Sequence, residues 1–390
     1  MNSTRVPLGD VADFINGVAF KPDDWQEKGL RIIRIQNLTD AEKPYNRTNR
    51  TVEQKYHVKP GDLLVSWSAT LGVFIWQGPD IALVNQHIFR VVPDTERING
   101  EYLRHMLHDA LVEMERHLHG ATMKHVNRKE FLATTIPLPP LAEQKRIAAI
   151  LDAADALRAK RRESLAQLDT LLQSTFLELF GDPVTNPKGW GKKKIGSIIV
   201  GKPNNGVFRK NHEYSEFKDE GKPVVWVGEL FHGSSIDTSE SRRLEATQDE
   251  IERYSLIFGD ILFCRSSLKL DGIAYNNVFL GATEDAIFEC HLIRISPRLD
   301  IVDPMFLNQQ LRSIPMRAVL KSKSKTATMT TIDQKALSSV EVTVPSLDLQ
   351  HHFATIVKSI EHQKTRLRAH LAELDTLFAS LQARAFNGQL

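Results

Sequence analysis

Residues 168–176 read LDTLLQSTF and residues 374–382 read LDTLFASLQ, 206 positions apart. Such self-similarity constrains the fold before any other feature: the chain holds either two copies of one unit or two helices converged on a common pattern. The offset decides for duplication. Pro139 and Pro345, Gln144 and Gln350, and Ala121-Thr122-Met123 and Ala327-Thr328-Met329 all stand 206 apart. Upstream the register drifts, with His87 and His291 separated by 204, Gly61-Asp62-Leu63-Leu64 and Gly259-Asp260-Ile261-Leu262 by 198, and Leu38 and Leu230 by 192. Length changes accumulate in loops, so each half reads as a variable globular part followed by a tail of fixed length.

The tail reads as one long helix. No Pro or Gly interrupts 141–180 or 347–387. Pro139-Pro140 and Pro345-Ser346, with Glu143 and Asp348 just beyond, mark the starts, and Gly181 and Asn387-Gly388 mark the stops. Apolar positions step by four and three, the heptad seam of a coiled coil. The seam runs Ile147, Leu151, Ala154, Arg158, Arg161, Leu165, Leu168, Leu172, Thr175 and Leu179 in the first copy. In the second it runs Phe353, Val357, Ile360, Lys364, Leu367, Leu371, Leu374, Phe378, Leu381 and Ala385. The plainer reading packs each helix on its own domain's core. Forty residues at 1.5 Å each make a rod of about 60 Å, however, and two such rods bury their seams most simply against each other, loosened where Arg158 and Arg161 interrupt.

The globular parts mix both element types. RIIRIQ, DLLVSW, GVFIW and ALVNQHIFRVV are β-rich runs between turn residues. A helix follows with Leu103, Leu107, Ala110, Leu111, Met114 and Leu118 on one face. The second half repeats the order with VVWVGEL, DILFCRS and ECHLIRIS, then a helix opened by Asp303-Pro304 and broken by Pro315. Residues 181–195 read as a linker. The fold class is therefore α+β: two mixed α/β domains related by duplication (1–138 and 183–344), and two long helices (139–182 and 345–390) forming an antiparallel coiled coil.

Composition narrows the function. Fifty basic residues against 48 acidic ones leave a net charge of +2, which excludes a histone-like polycation. Two cysteines form no disulfide framework, the N-terminus lacks a signal-peptide apolar region, and no eighteen consecutive apolar residues occur. These features predict a cytoplasmic chain without a membrane segment. Catalytic constellations are missing. No phosphate-binding G-x-x-x-x-G-K-[ST] loop occurs, and the one Pro-Pro pair, Pro139-Pro140, lies between leucines instead of following the polar residue an adenine methyltransferase needs. Pro22-Asp23 with Glu53-Gln54-Lys55 imitates a nuclease pattern that arises readily by chance. Cys264, Cys290 and His291 offer too few ligands for zinc, and a buried structural thiol is the better reading of Cys264. His87 and His291 read as structural or DNA-facing. No cofactor and no metal is assigned to this chain.

Nucleic-acid chemistry is better supplied. HLHGATMKHVNRKEF places Thr122, Lys124 and His125 before a short helix that Asn127 and Glu130 cap, and its counterpart places Lys321, Lys323, Lys325 and Thr328 before another. Helix-start amides and lysines suit phosphates. Base edges are read mostly by Arg, Asn and Gln, and the candidates are Arg34, Gln36, Asn37, Arg47, Asn49 and Arg50 in the first half. Those of the second half are Asn204, Asn205, Arg209, Lys210, Arg242, Arg243, Arg265 and Lys269. A solvated surface is the alternative at each.

The stretch PLPPLAEQKRIAAILDAADALRAKRRESLAQLDTLLQSTFLELFGDP resembles the central region of type I restriction–modification specificity subunits, and the repeat of variable domain plus long helix matches that family along the whole chain. The resemblance implies two target recognition domains, each reading half of a bipartite sequence in double-stranded DNA. It implies helices that separate them and dock two modification (methyltransferase) subunits. Those partners carry S-adenosylmethionine and methylate adenine, and restriction subunits add ATP- and Mg-dependent translocation and cleavage. The second copy diverges (SLDLQHHFATIV against PLAEQKRIAAIL), which argues against identical partner contacts in the two halves. A coiled-coil scaffold with protein-binding heads and a self-sufficient nuclease or methyltransferase are the competing readings.

Overall fold

The structure, a computed structural model, describes residues 4–40, 42–117, 127–216, 221–281, 284–326 and 329–390. The helices are α1 (Ile35–Thr39), α2 (Gly100–His117), α3 (Arg128–Ala133), α4 (Leu141–Phe180), α5 (Gln248–Tyr254), α6 (Pro304–Arg312), α7 (Ile314–Ser322), α8 (Gln334–Ser338) and α9 (Leu347–Phe386). Two compact units form, one from residues 1–162 and 370–390, the other from 163–369. Each unit therefore holds part of both long helices. Among the described residues no helix is long and apolar enough to cross a membrane.

In unit 1 the strands Ala12–Asn16, Ile88–Pro93, Leu63–Ser66 and Gly72–Ile75 form an antiparallel sheet in that order. A second sheet sets Leu30–Ile33 parallel to Ala82–Val84. The apolar face of α2 (Tyr102, Leu103, Met106, Leu107, Ala110, Leu111) fills the main core with Ile147, Leu151 and Ala154 of α4 and Phe378 and Ala385 of α9. Unit 2 repeats the plan. Asn204–Asn205, Leu292–Ile295, Ile261–Cys264 and Asn276–Val278 form the antiparallel sheet, and Lys222–Val225 runs parallel to Ile287–Phe288. Phe176 and Phe180 of α4, Phe306 of α6 and Phe353 of α9 interlock in its core, with ring centroids 4.6 to 6.0 Å apart.

Small features recur in both units. Gly17 and Gly206 pass so close to a neighbouring strand that a Cβ would lie 2.2 Å from Asn85 O and 2.0 Å from Phe288 O. Gln144 and Gln350, both fully buried, make the same bonds. Gln144 Oε1 accepts from Asn99 N (2.7 Å) while Nε2 donates to Arg97 O (2.9 Å) and Pro139 O (2.8 Å). Gln350 Oε1 accepts from Asp303 N (2.8 Å) while Nε2 donates to Pro345 O (2.8 Å) and Ile301 O (3.4 Å). Gln144 ties the start of α4 to the start of α2, and Gln350 ties the start of α9 to the start of α6.

Several expectations are refined. RIIRIQ ends its strand at Ile33, because Asn37 Oδ1 accepts from Arg34 N (3.1 Å) and opens α1. The supposed linker contains a strand, Gly191–Lys194, paired with Glu341–Val344. Asp303 caps α6 as expected, its Oδ1 accepting from Met305 N and Phe306 N, and the α6–α7 break falls at Ser313, with Pro315 in the first turn of α7. Past Leu172 the buried positions of α4 are Phe176 and Phe180, while Thr175 and Leu179 are half-buried. In mid-helix Leu165, Leu168, Leu367, Leu371 and Leu374 are also only half-buried.

Candidate nucleic-acid interface

Arg34, Arg47, Asn49 and Arg50 gather around residues 22–29 of unit 1. Arg34 lies over Trp25 (5.8 Å), Asn49 Nδ2 donates to Gln26 Oε1 (2.7 Å), Arg50 pairs with Asp24 (3.3 Å) and Arg47 Nη1 donates to Gly29 O (3.0 Å). Gln36 is exposed on α1. Asn37 does not join the group: it is buried, and its Nδ2 donates to Lys43 O and Pro44 O, fixing that loop. Trp25 is exposed beside that group, and no spacing or neighbouring pattern in the sequence marks it out.

Unit 2 holds two groups. In the first, Arg242 lies 5.2 Å from both the Tyr214 and Trp226 rings and donates to Asn211 Oδ1 (2.8 Å), beside Arg209, which pairs with Glu250 (2.7 Å), and exposed Lys210. Three expected readers turn inward instead. Arg243 is buried in a two-pronged pair with Glu284 (2.6 and 2.9 Å). Asn204 Oδ1 accepts from Arg294 Nε (3.1 Å), and Asn205 Oδ1 accepts from Gln334 Nε2 (3.1 Å).

The second group stands on a three-stranded ribbon. Ser266–Ser267 pairs with Thr330–Thr331, which pairs with Lys325–Thr326. Arg265 and Lys269 flank the first strand and are exposed, as is Lys325. Lys321 is bound to Asp271 (2.6 Å), and Lys323 is exposed. Thr122, Lys124, His125 and Thr328 lie outside the described residues. One N-terminal amide of each short helix is already taken by its cap. Asn127 Oδ1 accepts from Lys129 N (2.9 Å), and the Asp333 carboxylate accepts from Ala336 N (2.7 Å), putting a negative charge where a phosphate would sit.

The histidines occupy matching places: Trp67 N donates to His87 O (3.3 Å) and Arg265 N to His291 O (2.7 Å). His87 packs on Trp67, with ring centroids 5.5 Å apart, whereas exposed His291 has its Nδ1 3.0 Å from Ser266 Oγ. Cys264 is buried, and burial pushes its thiol up to about 11, the behaviour of a structural thiol. Potential ligand atoms of Glu289, Cys290 and His291 lie within 4.8 Å of one another. Burial raises both the Glu289 carboxyl and the Cys290 thiol, opposing the ionised forms a metal needs. Of the nuclease-like pattern, Lys55 pairs with its own neighbour Glu53 (2.8 Å).

The long helices carry their own charges. In unit 1 Arg158 pairs with Asp155 (2.8 Å) and Asp375 (2.6 Å) and lies 4.2 Å from the Phe378 ring, and Arg162 also reaches Asp375 (3.1 Å). In unit 2 Lys364, only 4% exposed, lies between Asp169 (2.5 Å) and Glu361 (2.8 Å).

Comparison with known proteins bears on this arrangement. The family described as the type I restriction modification DNA specificity domain matches residues 2–168. The type I restriction enzyme EcoBI specificity subunit of Escherichia coli is 25% identical, over 99% of this chain and 86% of the relative. The EcoKI specificity subunit of E. coli strain K12 is 22% identical over 98% and 88%, and the MjaVIII specificity subunit of Methanocaldococcus jannaschii 23% over 93% and 88%. The crystal structure of a type I restriction–modification S subunit from M. genitalium shares the fold with a TM-score of 0.57 at 14% identity, covering 99% of this chain and 96% of that one. A chain from work on complex assembly and conformational transition of the type I R-M system has a TM-score of 0.57 at 20% identity, covering 100% and 99%.

Proposed function

We propose that the chain is a specificity subunit of a type I restriction–modification system, and that its parts divide the work as follows. A subunit of this kind does no chemistry of its own: it selects a DNA sequence, and other chains act there. We assign residues 1–138 and 183–344 to two duplicated target recognition domains, and 139–182 and 345–390 to a spacer in which α4 and α9 run antiparallel as a coiled coil. The observation that carries this assignment lies within unit 2: Asp169 of α4 pairs with Lys364 of α9 and, further along α4, Phe176 packs on Phe353, so a step forward along α4 is a step back along α9.

The two domains present different side chains on a shared plan. Arg34, Arg47, Asn49 and Arg50 serve the first, and Arg209, Lys210, Arg242, Arg265, Lys269 and Lys325 the second, so the two halves of the target differ in sequence. Guanidinium groups and lysines supply phosphate contacts, and the Arg and Asn side chains supply base-edge contacts. Two modification subunits carrying S-adenosylmethionine dock on the helices and methylate adenine. Restriction subunits add ATP- and Mg-dependent translocation and cleavage, and the complex works in the cytoplasm.

Mapping methylated adenines in cells that express the chain with its modification subunits tests the proposal. The expected target is two unlike short segments separated by a constant number of unspecified base pairs. Four residues inserted in α4 add about 6 Å, near two base-pair steps, and should change that number. An unchanged spacer, one uninterrupted target, or methylation or cutting by the purified chain alone would overturn it.

A further inference from the structure

The ribbon of unit 2 also carries a large apolar side chain in the open. Leu268 is 84% exposed, at the apex of the turn between Ser267 and Lys269. The turn is held from inside: Ser267 Oγ donates to Lys269 O (2.7 Å) and accepts from Lys269 N (3.2 Å), and Gly272 N donates to the same Lys269 carbonyl (3.0 Å). With its backbone bonded on both sides, the apex cannot fold inward to hide the leucine. Beside it opens a cavity of about 750 Å³ walled by Phe231 and Met329, both exposed, with Phe231 stacked on Tyr275 (centroids 4.5 Å apart). An exposed apolar patch of this kind marks a contact surface. Its rim decides the class of partner: Arg265, Lys269 and Lys325 are exposed cations, and of the nearby acids Asp271 is neutralised by Lys321 while Asp333 lies 3.9 Å from Lys325.

A convex apolar tip ringed by cations suits a polyanion with an apolar group on its edge. In duplex DNA that group is the C5-methyl of thymine, which projects into the major groove. We propose that Leu268 reads a thymine methyl in the half-site bound by unit 2, with Arg265, Lys269 and Lys325 on the flanking phosphates. This inference rests on the DNA-reading function above and adds to it a base type and a residue.

The test uses the chain assembled with its modification subunits and a duplex carrying the methylated target. Each thymine of the relevant half-site is replaced singly by deoxyuridine, which deletes the methyl and nothing else, and Kd is measured at fixed salt. At one position the change should weaken wild-type binding about fourfold, the worth of one buried methyl. Leu268→Ala should bind the thymine duplex more weakly by a similar factor and no longer distinguish the two bases there. Lys269→Ala should instead weaken binding to every duplex and reduce its salt dependence. Wild-type binding that no thymine-to-deoxyuridine replacement in the half-site weakens would overturn the inference. So would a Leu268→Ala complex that still separates thymine from uracil, or one that binds DNA normally but assembles poorly with the modification subunits. Failure of wild-type complex to bind any duplex would instead refute the DNA-reading function itself.

Discussion

Gln144→Leu tests the principle on which each long helix is anchored. Leucine fills nearly the same volume, so little cavity forms, and the loss is almost wholly polar. The Asn99 amide loses its 2.7 Å acceptor, and Arg97 O and Pro139 O lose donors at 2.9 and 2.8 Å. One orphaned buried group costs about 1–3 kcal/mol. Arg97 is exposed and water can reach its carbonyl, so the expected total is about 2–4 kcal/mol. Asn99 also caps α2, its Oδ1 accepting from Tyr102 N (3.0 Å), so the damage spreads to the first turn of α2. Gln350→Leu should cost somewhat less, because its contact to Ile301 O is a weak 3.4 Å. Hydrogen exchange followed by mass spectrometry resolves the effect by segment. In Gln144→Leu the amides within 99–103 and 141–147 should exchange about 30-fold faster or more, the equivalent of 2 kcal/mol, while those within 301–307 and 347–353 keep wild-type rates. The reasoning fails if both segments of unit 1 stay within threefold of wild type, or if both units loosen equally.

Three further outcomes are expected. Gly17→Ala and Gly206→Ala force a Cβ into carbonyl oxygens 2.2 and 2.0 Å away and should each cost about 3 kcal/mol by urea denaturation, while Gly100→Ala, with open space around it, should be neutral. Lys364→Ala leaves Glu361, whose side chain is 16% exposed, with only the longer Arg368 pair at 3.8 Å, and should lower the urea midpoint more than Asp169→Ala, which removes a 62% exposed partner worth under about 1 kcal/mol; the reverse order would show that the buried ammonium is not held by Glu361. Burial holds His105 and His108 below the usual imidazole value, in His105 against the pull of Asp152. The unfolded chain then takes up protons near pH 6.5 that the folded unit 1 refuses, so its stability falls as pH drops below that value. Exchange protection of α2 should decline from pH 7 to pH 5 after correction for intrinsic rates, and His105→Gln with His108→Gln should flatten the decline. An unflattened slope would place the titrating groups elsewhere.

What the sequence reveals depends on whether a residue's role is set locally or by a distant neighbour. The long helices were legible to within a residue because an apolar stripe without Pro or Gly over forty positions has few other uses, and Gly181, at φ +75°, takes the left-handed conformation that ends the first. The equal offset of Gln144 and Gln350 was visible, but its reason was not, since their partners lie some 45 residues upstream. The heptad frame slips where α4 gains a second neighbour: Phe176 and Phe180 step by four because they meet α6 as well as α9, and an uncoiled helix at 3.6 residues per turn drifts off a strict heptad in any case. Gly191–Lys194 has no β-forming side chains, and its strand exists only because Glu341–Val344 supplies the pairing edge. At the candidate interface residue type alone cannot separate Arg242, which faces aromatic rings at a half-exposed surface, from Arg243, which turns inward to Glu284. Arg242 precedes the strand Arg243–Leu244, whose two residues are both buried between Tyr214–Ser215 and Lys222–Val225, and only that pairing says which arginine turns in. The same blindness hid Leu268. A leucine in a loop predicts burial, and it becomes informative only when the hydrogen bonds of its turn show that burial is closed to it.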